Sequence, residues 1–246
     1  MRFDVVTLFP EIISKTFSFG VTGRALVKGL IEIKTWNPRN YSNNVTNRID
    51  DKPYSGGPGM VMQVEPLMKA IEAIKNDVSS QTHVIYMSAQ GKSLNQQKIK
   101  ELSILPRITI ISGRYEGIDQ RVIDRGIDEE ISIGDFIASG GELPAMILMD
   151  SVTRVLEGVL GHNDSTAEES FENGLLEYPH YTRPNKSKYG EVPSVLLSGN
   201  SKDIERWKLK MSLAKTLLVR PDLLKGRLFS SLEKELLNEI KDEEKY

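Results

Sequence analysis

Four short segments hold the residues from which a ligand site could be built: Tyr86 to Gly91, Ser112 to Asp119, Ile133 to Phe136, and Ser139 to Pro144. Each follows an apolar run that reads as a strand or lies just before a helix, the position at which open α/β sheets take their ligands. In the last segment Gly140 and Gly141 stand just before a helix N-terminus. Free backbone N–H groups there can meet a polar ligand, and no side chain blocks its approach; a tight turn with a helix cap has the same composition. The spacings of a dinucleotide-binding fingerprint and of a triphosphate-binding loop are both missing, and the glycine-rich run Tyr54 to Met60 lacks the lysine that the latter needs. His83, His162 and His180 do not have metal-ligand spacing.

Other polar residues admit two readings each. Arg154 follows Asp150 by four positions on an expected helix, the favourable order for a surface ion pair. Glu168 and Glu169 sit in a polar stretch as solvated charges or as acid–base groups, and Glu116 is either a loop carboxylate paired with Arg114 or part of a site. Tyr178, His180, Tyr181 and Arg183 interleave rings with a cation, as in proteins that grip unpaired bases. Lys202, Arg206 and Lys210 share a helix face, joined by Lys208 and Lys215, that is either solvated or set against phosphates.

The elements that must position these groups follow from periodicity. Phe3 to Leu8 reads as a buried strand ended by Pro10; helices follow at Glu11 to Thr16 and Gly23 to Leu30, then a strand at Ile31 to Trp36. Asn37 to Met60 is polar and turn-rich, longer than a simple connection. Alternation resumes with a helix at Pro66 to Lys75, a strand at His83 to Met87, a helix at Asn95 to Leu102 and a strand at Ile108 to Ile111. Strands separated by helices predict a mostly parallel sheet covered on both faces. Pro144 opens a helix to about Leu156; Gly158 to Val192 shows no sustained period and reads as linker and loop. Ile204, Trp207, Met211, Ala214 and Leu218 predict an apolar helical stripe, and Ser230 with Glu233 a capping box for a last helix ending near Ile240.

The 246 residues suffice for one large and one small domain, and there is no cysteine and no apolar run long enough to span a membrane. The start, Met1 to Pro10, is too short and too acidic for a signal peptide, which predicts a cytoplasmic protein. A net charge of −2 argues against coating nucleic acid wholesale, so RNA contact would need local basic patches.

Several longer strings recur together in one known family. Asp50 to Met60, Gly113 to Asp119, Ser139 to Pro144, Gly161-His162 and Pro179 to Pro184, flanked by Leu8-Phe9-Pro10 and Arg206-Trp207, resemble the bacterial tRNA (guanine-N1)-methyltransferases of the SPOUT class. The resemblance covers nearly the whole chain. It implies an α/β domain with a deep trefoil knot at residues 1–160, a flexible linker at 161–174 and a helical tRNA-binding domain at 175–246. It also implies a homodimer, with S-adenosylmethionine bound in the knot loops and methyl transfer to N1 of guanosine 37, preceded by a guanosine, in the tRNA anticodon stem-loop. The methyl-donor pocket would comprise Tyr86, Ser88, Gly113, Tyr115, Glu116, Ile133, Gly134, Gly140, Gly141 and Pro144.

N1 of guanine carries a proton at neutral pH, and its loss drives negative charge toward O6, so the reaction needs a general base and a cation. By the resemblance these fall on Glu169 and Arg154, with Glu168 a competing base and a magnesium ion as an assistant whose ligands are not legible in the sequence. The chain departs from the family pattern at Glu169, Ala89 and Ser55, where aspartate, proline and glycine are expected. These departures motivate a rival reading, a noncatalytic RNA-binding protein; a second rival is a methyltransferase acting on another RNA.

Overall fold

The computed structural model describes residues 1–54, 56–161 and 168–243. Two compact units are resolved, Met1–Asn163 and Asp164–Tyr246. The first is built on a five-stranded sheet of order β2-β1-β6-β5-β7, from β1 (Arg2–Val6), β2 (Glu32–Trp36), β5 (His83–Ser93), β6 (Arg107–Ile111) and β7 (Glu129–Ser132). Two residue pairs, β3 (Asp50–Asp51) and β4 (Val61–Met62), form a small antiparallel ladder within the turn-rich stretch.

All the main-sheet pairings are parallel, so their C-terminal ends emerge along one edge. The predicted α/β architecture with a parallel sheet is present. Its central strands are buried on both faces: all five residues of β6 (Arg-Ile-Thr-Ile-Ile) are buried, Arg107 and Thr109 included. The period of two is visible in which helices each side chain meets. Phe3, Val5, Ile85, Met87, Ile108 and Ile110 share one core with residues of α1 (Pro10–Thr16), α2 (Gly20–Val27), α4 (Gln96–Ser103) and α6 (Glu142–Arg154). Val6, Val84, Tyr86 and Ile111 point the other way, toward α3 (Val64–Asp77) and α5 (Gln120–Gly126).

Neither α5 nor β7 is legible as an element in the sequence: α5 has seven residues, too few for a sustained period, and β7 opens with Glu129 and Glu130. At β5 the predicted end near Met87 is a register shift, after which Lys92 and Ser93 pair with Ile131 and Ser132.

One ion pair lies wholly inside this unit. Asp4 accepts hydrogen bonds from Arg107 Nε at 2.7 Å and Trp36 Nε1 at 2.8 Å, and both charged residues are about 1% exposed or less. The rest of the Arg107 guanidinium donates to the carbonyls of Ile74 and Ser80, at the end of α3 and just beyond it. A buried pair with its remaining valences filled ties β1, β2, β6 and α3 together.

In the second unit, α7 (Ser201–Val219) and α8 (Ser231–Glu243) pack around Leu175, Leu213, Leu236 and Ile240. The capping box forms as predicted: Glu233 Oε2 accepts from the Ser230 backbone at 2.7 Å, and Ser230 Oγ accepts from the Glu233 backbone at 3.2 Å. The predicted stripe on α7 is misphased. Leu213 and Thr216 are buried, with Leu209 and, of the predicted stripe, Ala214 partly buried against them, while Leu218 is 75% exposed. Thr216 is buried because its hydroxyl donates to the Ser212 carbonyl and accepts the Leu176 N–H. Residues 168–174, expected as flexible linker, carry hydrogen bonds into this unit, among them Arg227 to the Asn173 carbonyl at 2.6 Å; the rest of that linker falls mostly on residues 162–167, outside the described residues.

Replacing Asp4 by alanine leaves Arg107 and Trp36 buried without their acceptor, which should cost about 3–5 kcal/mol of unfolding free energy. Urea unfolding followed by far-UV circular dichroism checks this, and the paired Asp4→Leu, Arg107→Met variant should lose less than Asp4→Ala alone.

Candidate functional site

The loops that leave the C-terminal edge of the sheet converge on one cavity. Tyr86, Ser88, Gly113, Tyr115, Glu116, Ile133, Gly134, Gly140, Gly141 and Pro144 all line it, so every residue expected at the donor pocket falls on the same walls. Met87, Ala89, Arg114, Gly117, Ile131, Ser132 and the segment from Phe136 to Ser139 complete the lining. Of these, Ile131, Ser132, Ile137 and Ala138 lie outside the four segments named from the sequence; Phe136 and Ile137 are 59% and 84% exposed.

Close approach of backbone explains the glycines. An added Cβ on Gly141 would lie 2.7 Å from Ser112 Cα and 2.8 Å from the Gly113 nitrogen, inside any tolerable contact. The Gly141 N–H instead donates to the Gly113 carbonyl at 2.8 Å, locking the start of α6 against the end of β6. On the opposite wall, a Cβ on Gly113 would come within 2.9 Å of the Tyr86 ring. Burial pushes the Tyr86 hydroxyl up from its ordinary value, so it stays neutral at physiological pH.

Beneath these loops sits a buried carboxylate. Glu142, in the first turn of α6 and 1% exposed, accepts from Thr7 Oγ1 at 2.9 Å and from Arg114 Nε at 2.8 Å. Arg114 also donates to the Ser139 carbonyl at 3.2 Å and lies over the Phe9 ring at 4.6 Å. The alternative in which Arg114 pairs with Glu116 is corrected: the arginine is drawn to the buried carboxylate, the more demanding acceptor. Glu116 is placed instead by its backbone, whose N–H donates to the Met60 carbonyl at 2.9 Å. That bond seats the glycine-rich Gly56 to Met60 run against the cavity loop. Ser55 lies outside the described residues.

Arg154 is in the last turn of α6, half-buried, on the helix face that carries the exposed Leu143 and Ile147. Glu169 belongs to the second unit, in a turn where its carbonyl accepts the Glu172 N–H at 3.2 Å. Its neighbour Glu168 is engaged: Lys208 Nζ donates to both carboxylate oxygens, at 2.7 and 3.0 Å, and the Tyr178 hydroxyl donates at 2.5 Å. Lys208 and Tyr178 hold the Glu168 carboxyl below the usual carboxylate range.

Tyr178 and His180 approach with ring centroids 4.7 Å apart, and Trp207 joins them, 6.4 Å from both Tyr178 and Tyr181. Trp207, expected in the apolar stripe, thus belongs to a partly exposed aromatic cluster. Of the basic face of α7, read as solvated or as set against phosphates, two cations are engaged within this unit. Arg206 pairs with Glu235 and Glu239, and Lys210 with Glu239 and Glu243, because α8 sets carboxylates along that face of α7. These cations hold the Glu239 carboxyl down to about 2, and they serve helix pairing. Among the described residues no group of three or more His, Cys, Asp or Glu side chains is arranged to hold a metal ion; His162 lies outside them.

A family model described as tRNA (Guanine-1)-methyltransferase TrmD matches residues 1–226. The chain belongs to this tRNA (guanine-N1)-methyltransferase family. Relatives carrying the name tRNA (guanine-N(1)-)-methyltransferase include one from Shewanella sediminis, 52% identical over 98% of this chain and 99% of its own length. One from Vibrio atlanticus is 50% identical across the full length of both chains, and one from Methylococcus capsulatus is 49% identical over 99% and 97%.

Gly141→Ala forces backbone apart at the cavity floor and should destabilise by about 1–3 kcal/mol, the usual cost of overpacking. Calorimetric titration with S-adenosylmethionine should show donor binding weakened well beyond that of Gly161→Ala, whose Cβ would meet nothing within 4 Å.

Proposed function

We propose that this chain transfers the methyl group of S-adenosylmethionine to N1 of guanosine 37 in tRNA, next to the anticodon and preceded by a guanosine. The observation that carries the proposal is the convergence of the expected donor-pocket residues on one cavity in a chain of this family. When bound, the donor supplies an activated methyl group on its sulfonium. The backbone of Gly113, Gly134, Gly140 and Gly141 admits it closely, Tyr86 and Pro144 wall it, and Glu116 offers a carboxylate at the rim.

Glu169 takes the proton from guanine N1, and the longer side chain keeps the carboxylate that aspartate supplies in the family pattern. Arg154 stabilises the charge that builds toward O6. Tyr178, His180, Tyr181 and Arg183, with Trp207 added, stack on and steady the unpaired bases of the anticodon loop.

In this reading the first domain, 1–160, is a SPOUT fold whose chain is knotted around the cavity, residues 161–174 link it to the RNA-binding domain at 175–246, and two copies make a homodimer. The exposed apolar residues beside the cavity, Phe136 and Ile137 on its loop and Leu143 and Ile147 on α6, support a partner seated there, because a monomer rarely leaves such a patch uncovered. Among the described residues no helix is long and apolar enough to cross a membrane.

Incubation with labelled S-adenosylmethionine and total tRNA tests the activity directly: label at N1 of guanosine 37 is expected, label elsewhere would redirect the substrate, and none would leave an RNA-binding protein. Arg154→Ala should lower kcat by about 10² or more with donor affinity unchanged. Glu169→Asp should retain far more turnover than Glu169→Gln, which is similar in size and cannot take the proton; an active Glu169→Gln beside a dead Glu168→Gln would move the base to the neighbour.

If each site is completed by the partner, a mixed dimer of one Glu169→Ala and one Gly140→Val subunit should regain methyl transfer that both inactive homodimers lack. Purification of the mixed species by two tags checks this. Inactivity of a folded mixed dimer that binds one donor would place both residues in the same subunit.

A further inference from the structure

The carboxylate of Glu168 is gripped more firmly than its exposed position requires. Lys208, in the middle of α7, reaches both of its oxygens, Tyr178 donates to one of them, and the Lys208 ammonium lies 4.7 Å from the centre of the Tyr178 ring. The residue after this anchor is Glu169. On its far side Ser170 Oγ accepts the Glu177 N–H at 3.0 Å, and the turn closes through Phe171, whose N–H donates to the Leu175 carbonyl at 2.7 Å. Phe171 takes φ +76°, a left-handed conformation unusual for a bulky residue, and Leu175 is buried in the helical core. Glu169 is therefore carried on a short turn fixed to α7 before it and to the core after it.

We propose that Lys208, acting through Glu168, is a positioning residue for N1-methyl transfer: the ion pair pins the turn that presents Glu169 and sets the direction from which its carboxylate meets the guanine. This rests on the reading of Glu169 as the base. A partly exposed ion pair contributes little to stability. Its effect belongs in the rate, because a base displaced by about 1 Å can lose up to ~10²-fold in turnover. The same geometry gives Glu168 a task other than proton transfer.

The test is steady-state methyl transfer to a tRNA transcript, with donor affinity measured by calorimetry and folding by thermal melting. Lys208→Met should lower kcat about tenfold to a hundredfold while the dissociation constant for S-adenosylmethionine and the melting temperature stay near those of the parent. Lys208→Arg should keep most of the rate. Glu168→Gln should show the loss of Lys208→Met, and the two together should lose no more than either alone. The exchanged pair, Glu168→Lys with Lys208→Glu, restores the bridge and should recover turnover above either single charge reversal. It also decides the matter if Lys208→Met fails to fold.

Unchanged kcat in Lys208→Met would overturn the proposal. So would a loss confined to KM for tRNA that the exchanged pair does not rescue, since that is the behaviour of a lysine bound to an RNA phosphate. The base reading is read out separately: parental turnover in Glu169→Gln would remove Glu169 as the base, whatever Lys208→Met does.

Discussion

The cavity depends on the Glu142 carboxylate. A nearly fully buried charge must find partners, and those within reach come from three places in the chain: Thr7 after β1, Arg114 after β6, and, through Arg114, the Ser139 carbonyl before α6. The carboxylate stands in the first turn of α6, where the helix dipole favours negative charge. Satisfying one acid therefore brings together the walls of a pocket whose floor is the contact between Gly141 and the end of β6. The sheet supplies the other half of the constraint. Because its strands run parallel, the loops that need to meet already leave it on the same edge.

Much of this was legible in the residues. Short apolar runs mark β1, β5 and β6, and most of the helices between the strands carry a period, so the α/β class and the capped last helix follow from pattern alone. The loops at the strand ends could be named for the same reason. What periodicity could not supply was the meaning of their glycines. A turn and a ligand cradle have the same composition, and only the resemblance of the longer strings separated them.

The failures have physical causes. On α7 two apolar lines compete, and the burial of Thr216, a polar residue satisfied by its own helix and by Leu176, shifted the true core away from the expected stripe. The basic face of α7 could not be recognised as structural because its partners, Glu235, Glu239 and Glu243, lie about thirty positions further along the chain. Long-range pairing of charges leaves no local signature. The same holds for Lys208 and Glu168, forty residues apart, and for Arg114, whose sequence neighbour Glu116 was the nearer candidate and Glu142 the actual one.

The seam between Gly141 and the Ser112-Gly113 backbone also bears on how this pocket can change over evolutionary time. Its wall there is main chain, and main chain is the same whatever residue is encoded, so the shape offered to a small molecule is written in the fold. A compound that fills that corner leaves few substitutions by which resistance could arise, since adding even a methyl group at Gly141 pries apart the sheet and the helix that hold the domain together. The outer lip has no such main-chain seam, and there Phe136 and Ile137 stand clear of the core of their own chain. An inhibitor directed at the inner seam would meet a target slow to escape, while one that leans on the lip would not.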